Sequence, residues 1–288
     1  MSPSELREPA GAHGRAPTRD GVLRAADAVA AILPPTPLLA VEINRRTVWV
    51  KAECLQPIGV FKIRGAWHRL NDMTPEERAR GVVGVSSGNH AQGVAWAARR
   101  LGIKAAIVMP RDAPRVKLER VRELGAEVVM YERAREDRDA ISRALAEERG
   151  AVLVHAYGDP WVIEGQGSAG VEIAAQMEAL AGGAPTRIIT PCGGGGLAAG
   201  LALACPDAEI VTVEPEGWDD VARSLASGSI ERVGPSPPPT ACDALQTPAT
   251  WPINFFVLKD RARGVAVSEA EVRAAQHFAF SNLRLVLE

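Results

Sequence analysis

The chain has 288 residues, of which 47% are hydrophobic, so it is long enough to bury the core of one large domain or two of ordinary size. Its 33 Lys and Arg residues nearly balance 35 Asp and Glu residues, which excludes the strongly basic surface typical of proteins that bind nucleic acid or anionic membranes. The four cysteines form no CxxC pair and no zinc-ligand spacing. We therefore expect a soluble cytoplasmic protein with a small-molecule partner, without a signal peptide or membrane span.

Apolar runs of strand length alternate with helical segments along the chain. Residues 1–20 are rich in Pro, Gly, Ala and charge, which predicts a disordered tail. The predicted strands are 47–53, 81–87, 104–110, 126–131, 151–156, 187–191 and 209–215. Because these strands are almost continuously apolar, helices should cover both faces of their sheets. The pattern predicts an α/β protein with mostly parallel sheets.

The alternation also predicts two domains. Three tight strand–helix units fill residues 81–156, and we predict that they form a small domain inserted into a larger one. The large domain would then comprise 21–80 and 157–288. Ligands of such sheets bind beyond the carboxyl ends of the strands, which directs attention to the residues that follow each strand.

A glycine-rich turn follows the predicted strand 187–191 in the stretch "RIITPCGGGGLAAG". Glycines let the backbone approach an anion closely, and the N–H groups of the following helix then bind phosphate. The residues predicted to form this phosphate site are Gly193, Gly194, Gly195, Gly196 and Leu197. A flexible turn is the plainer interpretation. However, fixing four glycines costs conformational entropy, and without a ligand no interaction would offset that cost.

The same turn fits a second cofactor class. Gly193, Gly195 and Ala198 satisfy the pattern GxGxxA, and Glu214 follows at the end of the next strand, as in a dinucleotide-binding unit. An NAD(P)-dependent oxidoreductase is therefore an alternative at this point. No GK[ST] follows the glycines, which argues against a nucleoside-triphosphate P-loop.

Polar residues end the predicted strand 81–87. Ser86, Ser87, Gly88 and Asn89 precede a helix that opens at His90 in "GVVGVSSGNHAQGVAWAARR". These residue types form ordinary helix caps and turns. Two hydroxyls and an amide at a helix N-terminus also suit a carboxylate ligand, because the helix dipole favours an anion there.

Lys62 stands between two apolar residues in "GVFKIRGAW". A lysine in such a run usually lies along the surface with its ammonium group in water. In a partly dry pocket, burial would instead lower the pKa of its amine and free it to form an imine with an aldehyde. The residues of this stretch alone fit both interpretations.

Three motifs in this order, "LQPIGVFKIRGA", "SSGNHAQGVAWAARRLGIKAAIVMP" and "CGGGGLAAG", strongly resemble the fold-type II pyridoxal-phosphate enzymes, in particular the threonine/serine dehydratase and serine racemase group. The resemblance extends from Thr36 to Glu288. It implies a tryptophan-synthase-β-like fold of two lobes, each an open twisted mostly parallel sheet flanked by helices, and pyridoxal 5′-phosphate as cofactor. It also implies a homodimer.

The resemblance implies an activity as well. A small amino acid with a β-hydroxyl group, L-threonine or L-serine, would be dehydrated and deaminated to a 2-oxo acid and ammonia. A serine racemase, or a dehydratase of a bulkier β-hydroxy amino acid, is the alternative within the group. A catalytically inactive ligand-binding relative is the alternative from another class.

Roles for individual residues follow from the resemblance. Lys62 would bind the cofactor covalently and act as the catalytic base, while Phe61 would pack near the cofactor ring. Asn89 would hydrogen-bond to the ring oxygen, and the glycine loop would hold the phosphate. Ser87 would be a second acid/base on the opposite face. The substrate carboxylate would lie over Ser86, Ser87, Gly88, Asn89 and His90.

The segment "VEPEGWDD" is similar to the divalent-cation site of some members of the group. The resemblance implies that Glu214, Asp220 and the carbonyl of Trp218 bind Mg²⁺ or Ca²⁺, ions that prefer such oxygen ligands.

Two positions depart from the group: Val60 replaces a usual Ser or Thr, and Ala156 replaces a usual Pro. Members of the group also continue beyond the equivalent of Glu288 to a Ser or Cys that hydrogen-bonds to the pyridine nitrogen, so we expect a large domain truncated at its C-terminus.

Overall fold

Helices and strands alternate along most of the chain. The computed structural model describes residues 14–86, 88–133 and 135–288. Its strands are β1 (Leu38–Ile43), β2 (Arg46–Lys51), β3 (Val82–Val85), β4 (Ala105–Pro110), β5 (Glu127–Tyr131), β6 (Val152–Val154), β7 (Arg187–Pro191), β8 (Glu209–Pro215) and β9 (Ala262–Val267). Its helices are α1 (Arg19–Ala30), α2 (Lys62–Asn71), α3 (Pro75–Arg80), α4 (Asn89–Leu101), α5 (Arg115–Glu123), α6 (Arg138–Arg149), α7 (Pro160–Ala181), α8 (Gly196–Ala204), α9 (Asp220–Ser227), α10 (Pro252–Leu258) and α11 (Glu269–Phe278). Within the described ranges, no helix has the length and apolar character that a membrane crossing requires.

The strands form two parallel sheets and one antiparallel hairpin. A four-stranded parallel sheet has the order β5-β4-β3-β6, and a three-stranded parallel sheet has the order β7-β8-β9. Strands β1 and β2 pair antiparallel through a turn in which Asn44 and Arg45 have φ values of 52° and 62°, as two-residue hairpin turns require. The predicted α/β class with parallel sheets flanked by helices is confirmed.

Two strands and one boundary differ from the sequence-based prediction. Strand β1 and strand β9 were not predicted, since β1 is mostly exposed and β9 contains Arg263 and Gly264, which weaken a strand pattern. Helix α1 begins at Arg19, where the side chain of Thr18 caps it. The predicted tail therefore overlaps α1 by two residues, and its residues 1–13 lie outside the described ranges.

The four-stranded sheet lies inside the segment 81–156 that was predicted to be a small domain. Its apolar core does not end at that segment, because one cluster joins Val29 and Trp67 to Val82, Ile107 and Val154. The division into domains therefore remains a prediction, and packing between the four-stranded sheet and the helices before it is continuous.

Close helix packing fixes the start of α2. A Cβ atom added to Gly165 of α7 would lie 2.5 Å from the Cα atom of Gly65 in α2. A Cβ atom added to Gly93 of α4 would lie 2.9 Å from the carbonyl oxygen of Lys62. These separations leave no room for a side chain, so glycine lets three backbones approach each other around Lys62.

A buried charge cluster anchors the same helix from the other side. Arg64 is 0% exposed, and its guanidinium group donates to both carboxylate oxygens of Glu53, at 2.7 and 2.8 Å. The same group donates to both carboxylate oxygens of Glu172 in α7, at 2.7 and 2.8 Å. Lys51 of β2 lies 2.6 Å from Glu172 and completes the cluster. These contacts tie α2 to β2 and α7 close to Lys62.

Candidate active site

The three predicted motifs meet at one cavity, at the carboxyl ends of β3 and β7. The predicted residues that line it are Phe61, Lys62, Ser86, Gly88, Asn89, His90, Gly193, Gly194, Gly195, Gly196 and Leu197. Ser87 lies outside the described residues. Glu214, Trp218 and Asp220 are elsewhere, at and beyond the end of β8, and do not line the cavity. The fold thus brings segments separated by more than a hundred residues to one place.

Lys62 opens α2 at the wall of this cavity. Its Nζ atom donates a hydrogen bond of 2.9 Å to the carbonyl oxygen of Ala156, and it lies 5.3 Å from the centre of the Phe61 ring. Burial lowers the pKa of the Lys62 amine from 10.5 to about 8, because a dry environment disfavours the ammonium form. Of the two interpretations that the sequence left open, the geometry favours the nucleophilic amine.

The lowered pKa of Lys62 predicts how covalent capture of an aldehyde depends on pH. Since only the neutral amine is nucleophilic, the rate of imine formation by the ligand-free protein should rise about tenfold per pH unit below pH 8 and become constant above it. Stopped-flow absorbance with pyridoxal phosphate measures this rate. A rate that keeps rising to pH 10 would show an ordinary surface amine instead.

The glycine loop leaves the N-terminus of α8 open to an anion. Gly195 caps this helix with φ 88°, and among the described residues no side chain caps its first N–H groups. Behind the loop, the carbonyl oxygen of Gly194 accepts from Asn254 Nδ2 at 2.6 Å and from Thr250 Oγ1 at 3.2 Å. A Cβ atom on Gly194 would lie 2.3 Å from the ring of Tyr157. The loop is therefore fixed in a form that only glycine allows and that suits a phosphate group.

The N-terminus of α4 forms another part of the cavity wall. The N–H group of Gly88 donates to Ser86 Oγ at 3.1 Å, which closes the turn before the helix. Asn89 Nδ2 donates to Glu288 Oε2 at 2.6 Å, whereas Asn89 Oδ1 is buried and has no hydrogen-bond partner in the part of the chain that the structure describes. A buried acceptor without a hydrogen bond lowers the stability of the fold, so a ligand that donates a hydrogen bond to Asn89 Oδ1 would bind favourably.

The two histidines at the cavity, His90 and His155, are uncharged and hydrogen-bond to the backbone. Burial lowers the pKa of His90 to about 3 and that of His155 to about 4. The Nε2 atom of His90 bonds to the carbonyl oxygen of Val154 at 3.0 Å, and Nδ1 of His155 accepts from the N–H group of Gly158 at 2.8 Å. The His90 ring is thus used to hold β6, and its backbone N–H remains for the predicted contact with a substrate carboxylate.

The structure adds three charged residues to the cavity that no motif indicated: Lys117, Arg138 and Asp243. Lys117 lies on α5, and Arg138 is the first residue of α6. Tyr131 and Tyr157 are close enough to Arg138 to affect its pKa. Because α6 follows β5, the rule that parallel strands place ligand groups beyond their carboxyl ends was the one signal that could have indicated Arg138.

The predicted cation site contains two buried carboxylates. Glu214 and Asp220 are 1% and 0% exposed. Burial raises the pKa of Glu214 to about 8 and that of Asp220 to about 7, and the Asp220 charge contributes to the shift of Glu214. The N–H groups of Val221 and Ala222 donate to Glu214 at 3.1 and 2.7 Å. Within the described ranges, no three His, Cys, Asp or Glu side chains converge on one point, so a cation here would need carbonyl or water ligands as well.

The groups at the cavity fit pyridoxal phosphate. The open N-terminus of α8 suits the phosphate, the Lys62 amine suits the aldehyde, and the unpaired Oδ1 of Asn89 offers a polar contact. The Phe61 ring supplies an apolar wall beside Lys62. All these groups line one cavity, which is the arrangement that the sequence motifs predicted.

Comparison with known proteins agrees with this site. Residues 30–288 match the family described as "Pyridoxal-phosphate dependent enzyme". The L-threo-3-hydroxyaspartate ammonia-lyase of Saccharomyces cerevisiae is 36% identical over 281 residues, which cover 94% of this chain and 84% of that protein. The solved serine racemase of maize has 34% identity and a TM-score of 0.88, covering 95% of this chain and 84% of that one. The solved serine racemase of Dictyostelium discoideum has 31% identity and a TM-score of 0.85, covering 94% and 88%.

The chain belongs to the pyridoxal-phosphate-dependent enzyme family, in its ammonia-lyase and racemase group. The predicted resemblance and the fold-type II architecture are thereby confirmed, and pyridoxal phosphate is the cofactor of the family. The dinucleotide-dependent oxidoreductase is no longer needed to explain the glycine loop.

Proposed function

We propose that the protein is a pyridoxal-phosphate-dependent ammonia-lyase that converts a small β-hydroxy amino acid to a 2-oxo acid and ammonia. The observation that carries the proposal is Lys62, a half-buried amine with a lowered pKa at the wall of the cavity that two open helix N-termini also line. Release of ammonia and a 2-oxo acid from L-serine or L-threonine by the purified protein with pyridoxal phosphate tests it. No product from any β-hydroxy amino acid would contradict the proposal and favour an inactive ligand-binding relative.

Each wall of the cavity would have its own part in the reaction. The N-terminus of α8 holds the phosphate, and the N-terminus of α4, from Ser86 to His90, binds the substrate carboxylate. The neutral Lys62 amine removes the proton from the substrate α-carbon. When bound, pyridoxal phosphate supplies the electron sink that stabilises the charge left on that carbon. Phe61 and the close helix packing keep water away from the Lys62 amine.

The choice of substrate would depend on Arg138. L-threonine and L-serine are the first candidates, and L-threo-3-hydroxyaspartate is the second, because a relative with that activity is 36% identical. The Arg138 side chain lines the cavity and is 23% exposed, and a carboxylate oxygen of Asp139 lies 3.9 Å from its Nε atom. A guanidinium group with spare donors complements the extra carboxylate of hydroxyaspartate.

Substitution of Arg138 tests this choice. In Arg138→Met we expect kcat/KM for L-threo-3-hydroxyaspartate to fall about 100-fold, and kcat/KM for L-serine to change less than about threefold, since only the first substrate carries a second carboxylate. Arg135→Met, which removes a highly exposed guanidinium group nearby, is the control. Equal losses on both substrates would show that Arg138 does not discriminate between them.

Racemisation is the closest alternative within the group. Ser87 would be the acid/base on the face opposite Lys62, so Ser87→Ala should reduce formation of D-serine more than elimination from L-serine. Chiral chromatography beside an ammonia assay measures both products. Equal loss of the two activities would contradict this division of roles.

A divalent cation would bind at Glu214, Asp220 and the carbonyl of Trp218. Two buried carboxylates beside each other favour a cation, and oxygen ligands suit Mg²⁺ or Ca²⁺. We expect Mg²⁺ at 100 times its Kd to stabilise the fold by about 2.7 kcal/mol and EDTA to reverse this, as measured by thermal unfolding. Asp220→Asn should abolish the effect, and Asp207→Asn, an exposed aspartate, should not. A melting temperature indifferent to metal and chelator would contradict the site.

The domain limits, the homodimer and the cytoplasmic location are also proposals. Sedimentation equilibrium of the purified protein tests the homodimer directly. Limited proteolysis that releases a stable fragment near 81–156 would support the inserted domain.

A further inference from the structure

Four polar side chains from distant parts of the chain meet at one side of the cavity. Lys117 Nζ lies 2.8 Å from Asp243 Oδ2 and 3.2 Å from Glu288 Oε1. The other oxygen of Glu288 accepts from Asn89 Nδ2 at 2.6 Å. We call these four residues, Asn89, Lys117, Asp243 and Glu288, the Lys117 network. The Lys117 ammonium group lies between two carboxylates and attracts both, so it holds Asp243 and Glu288 on the same side of the cavity.

The stem of Lys117 is part of the cavity wall. Lys117 is 8% exposed, and a Cβ atom added to Gly88 would lie 2.3 Å from its Cδ atom. Gly88 has φ 179°, a backbone conformation open to any residue, so a side chain at this position would mainly displace the stem of Lys117. Lys117 therefore packs directly on the turn that precedes Asn89.

We propose that Lys117 is a positioning residue for the cofactor, which acts through Glu288 on Asn89 and through Asp243 on the segment 243–247. This inference rests on the proposed cofactor site at Lys62 and Asn89. The Glu288 carboxylate takes one N–H of the Asn89 amide and fixes its orientation, which leaves the second N–H and Oδ1 for the cofactor. Asp243 and its neighbours up to Thr247 line the cavity, so their attachment to α5 closes one side of it.

Removing the charge of Lys117 while keeping its stem tests the proposal. Lys117→Met retains the packing on Gly88 but removes the cation from Asp243 and Glu288. Their side chains are 34% and 44% exposed, so water can solvate them and the fold should persist. We expect the Kd for pyridoxal phosphate, from fluorescence titration, to rise about tenfold. Arg115→Met removes an exposed cation from the same helix and should leave the Kd within about twofold.

A second measurement needs no cofactor. In the ligand-free protein, hydrogen exchange at the amides of Leu245 and Thr247 should become faster by about tenfold in Lys117→Met and remain unchanged in Arg115→Met. Glu288→Gln keeps an acceptor for Asn89 but loses the ion pair, so it should weaken binding less than Lys117→Met. The double variant should bind about as weakly as Lys117→Met alone, because both changes break the same network.

The outcomes separate this inference from the proposed function. Suppose that the wild-type protein binds pyridoxal phosphate and that Lys117→Met binds it equally well, with unchanged hydrogen exchange. This result overturns the positioning role of Lys117 and leaves the proposed function intact. A wild-type protein that does not bind the cofactor overturns the proposed function, whereas the exchange measurement still decides whether Lys117 holds the segment 243–247.

Discussion

Replacing Lys62 with alanine is expected to abolish covalent attachment of pyridoxal phosphate and to lower ammonia release by at least about 10³-fold. The Lys62 amine is the nucleophile for the aldehyde and the base for the substrate proton, so both functions are lost together. The fold should persist, since the hydrogen bond of the side chain goes to the backbone of Ala156 and burial already disfavours its charge. Borohydride reduction followed by intact-protein mass spectrometry measures the attachment.

A matched control separates Lys62 from other lysines. Lys259 lies 5.1 Å from the ring of Phe256, much as Lys62 lies 5.3 Å from Phe61, but Lys259 is exposed. Lys259→Ala should keep both the mass adduct and the activity. A reducible adduct of full yield in Lys62→Ala would show that another amine holds the cofactor and would contradict the proposed role.

The largest expected effect on stability belongs to Arg64. Arg64→Met should lower the free energy of unfolding by about 3–5 kcal/mol, because it leaves the carboxylates of Glu53 and Glu172 partly buried without their main partner. For a chain of this length the melting temperature should fall by roughly 10 °C. Differential scanning calorimetry of the two proteins measures both quantities.

The surface pair of Arg149 and Glu127 provides the control. Arg149 also makes two hydrogen bonds to one carboxylate, at 2.6 and 2.9 Å, but its side chain is 38% exposed and that of Glu127 is 53% exposed. Exposed pairs contribute about 0–1 kcal/mol, so Arg149→Met should shift the melting temperature by no more than about 3 °C. If both variants lost the same stability, the buried cluster would not anchor α2.

Much of the site could be predicted from the sequence because its chemistry is local. The glycine loop encodes a close backbone approach, with Gly194 against the Tyr157 ring, and a helix N-terminus that follows at once. The turn before α4 likewise combines its small residues with an open helix end. In each case the functional groups are backbone N–H groups, and a few consecutive residues are enough to specify them.

The fold class was equally visible in the sequence. Apolar runs at 104–110 and 209–215 became β4 and β8, since continuous apolar strands require cover on both faces. Strand β9 was not predicted because its own residues give no strand pattern. It is a strand because it pairs with β8.

The amino-acid sequence was enough to predict the α/β class, the glycine loop, the polar turn before α4 and a lysine between two apolar residues. The folded chain was needed to show that Lys62 is half-buried, that Arg138 lines the cavity, and that Lys117 joins Asp243 to Glu288 beside Asn89. The difference lies in the range of the interactions. Backbone conformation and helix ends depend on neighbouring residues, whereas burial and ion pairing depend on side chains that are distant in the chain and adjacent only after folding.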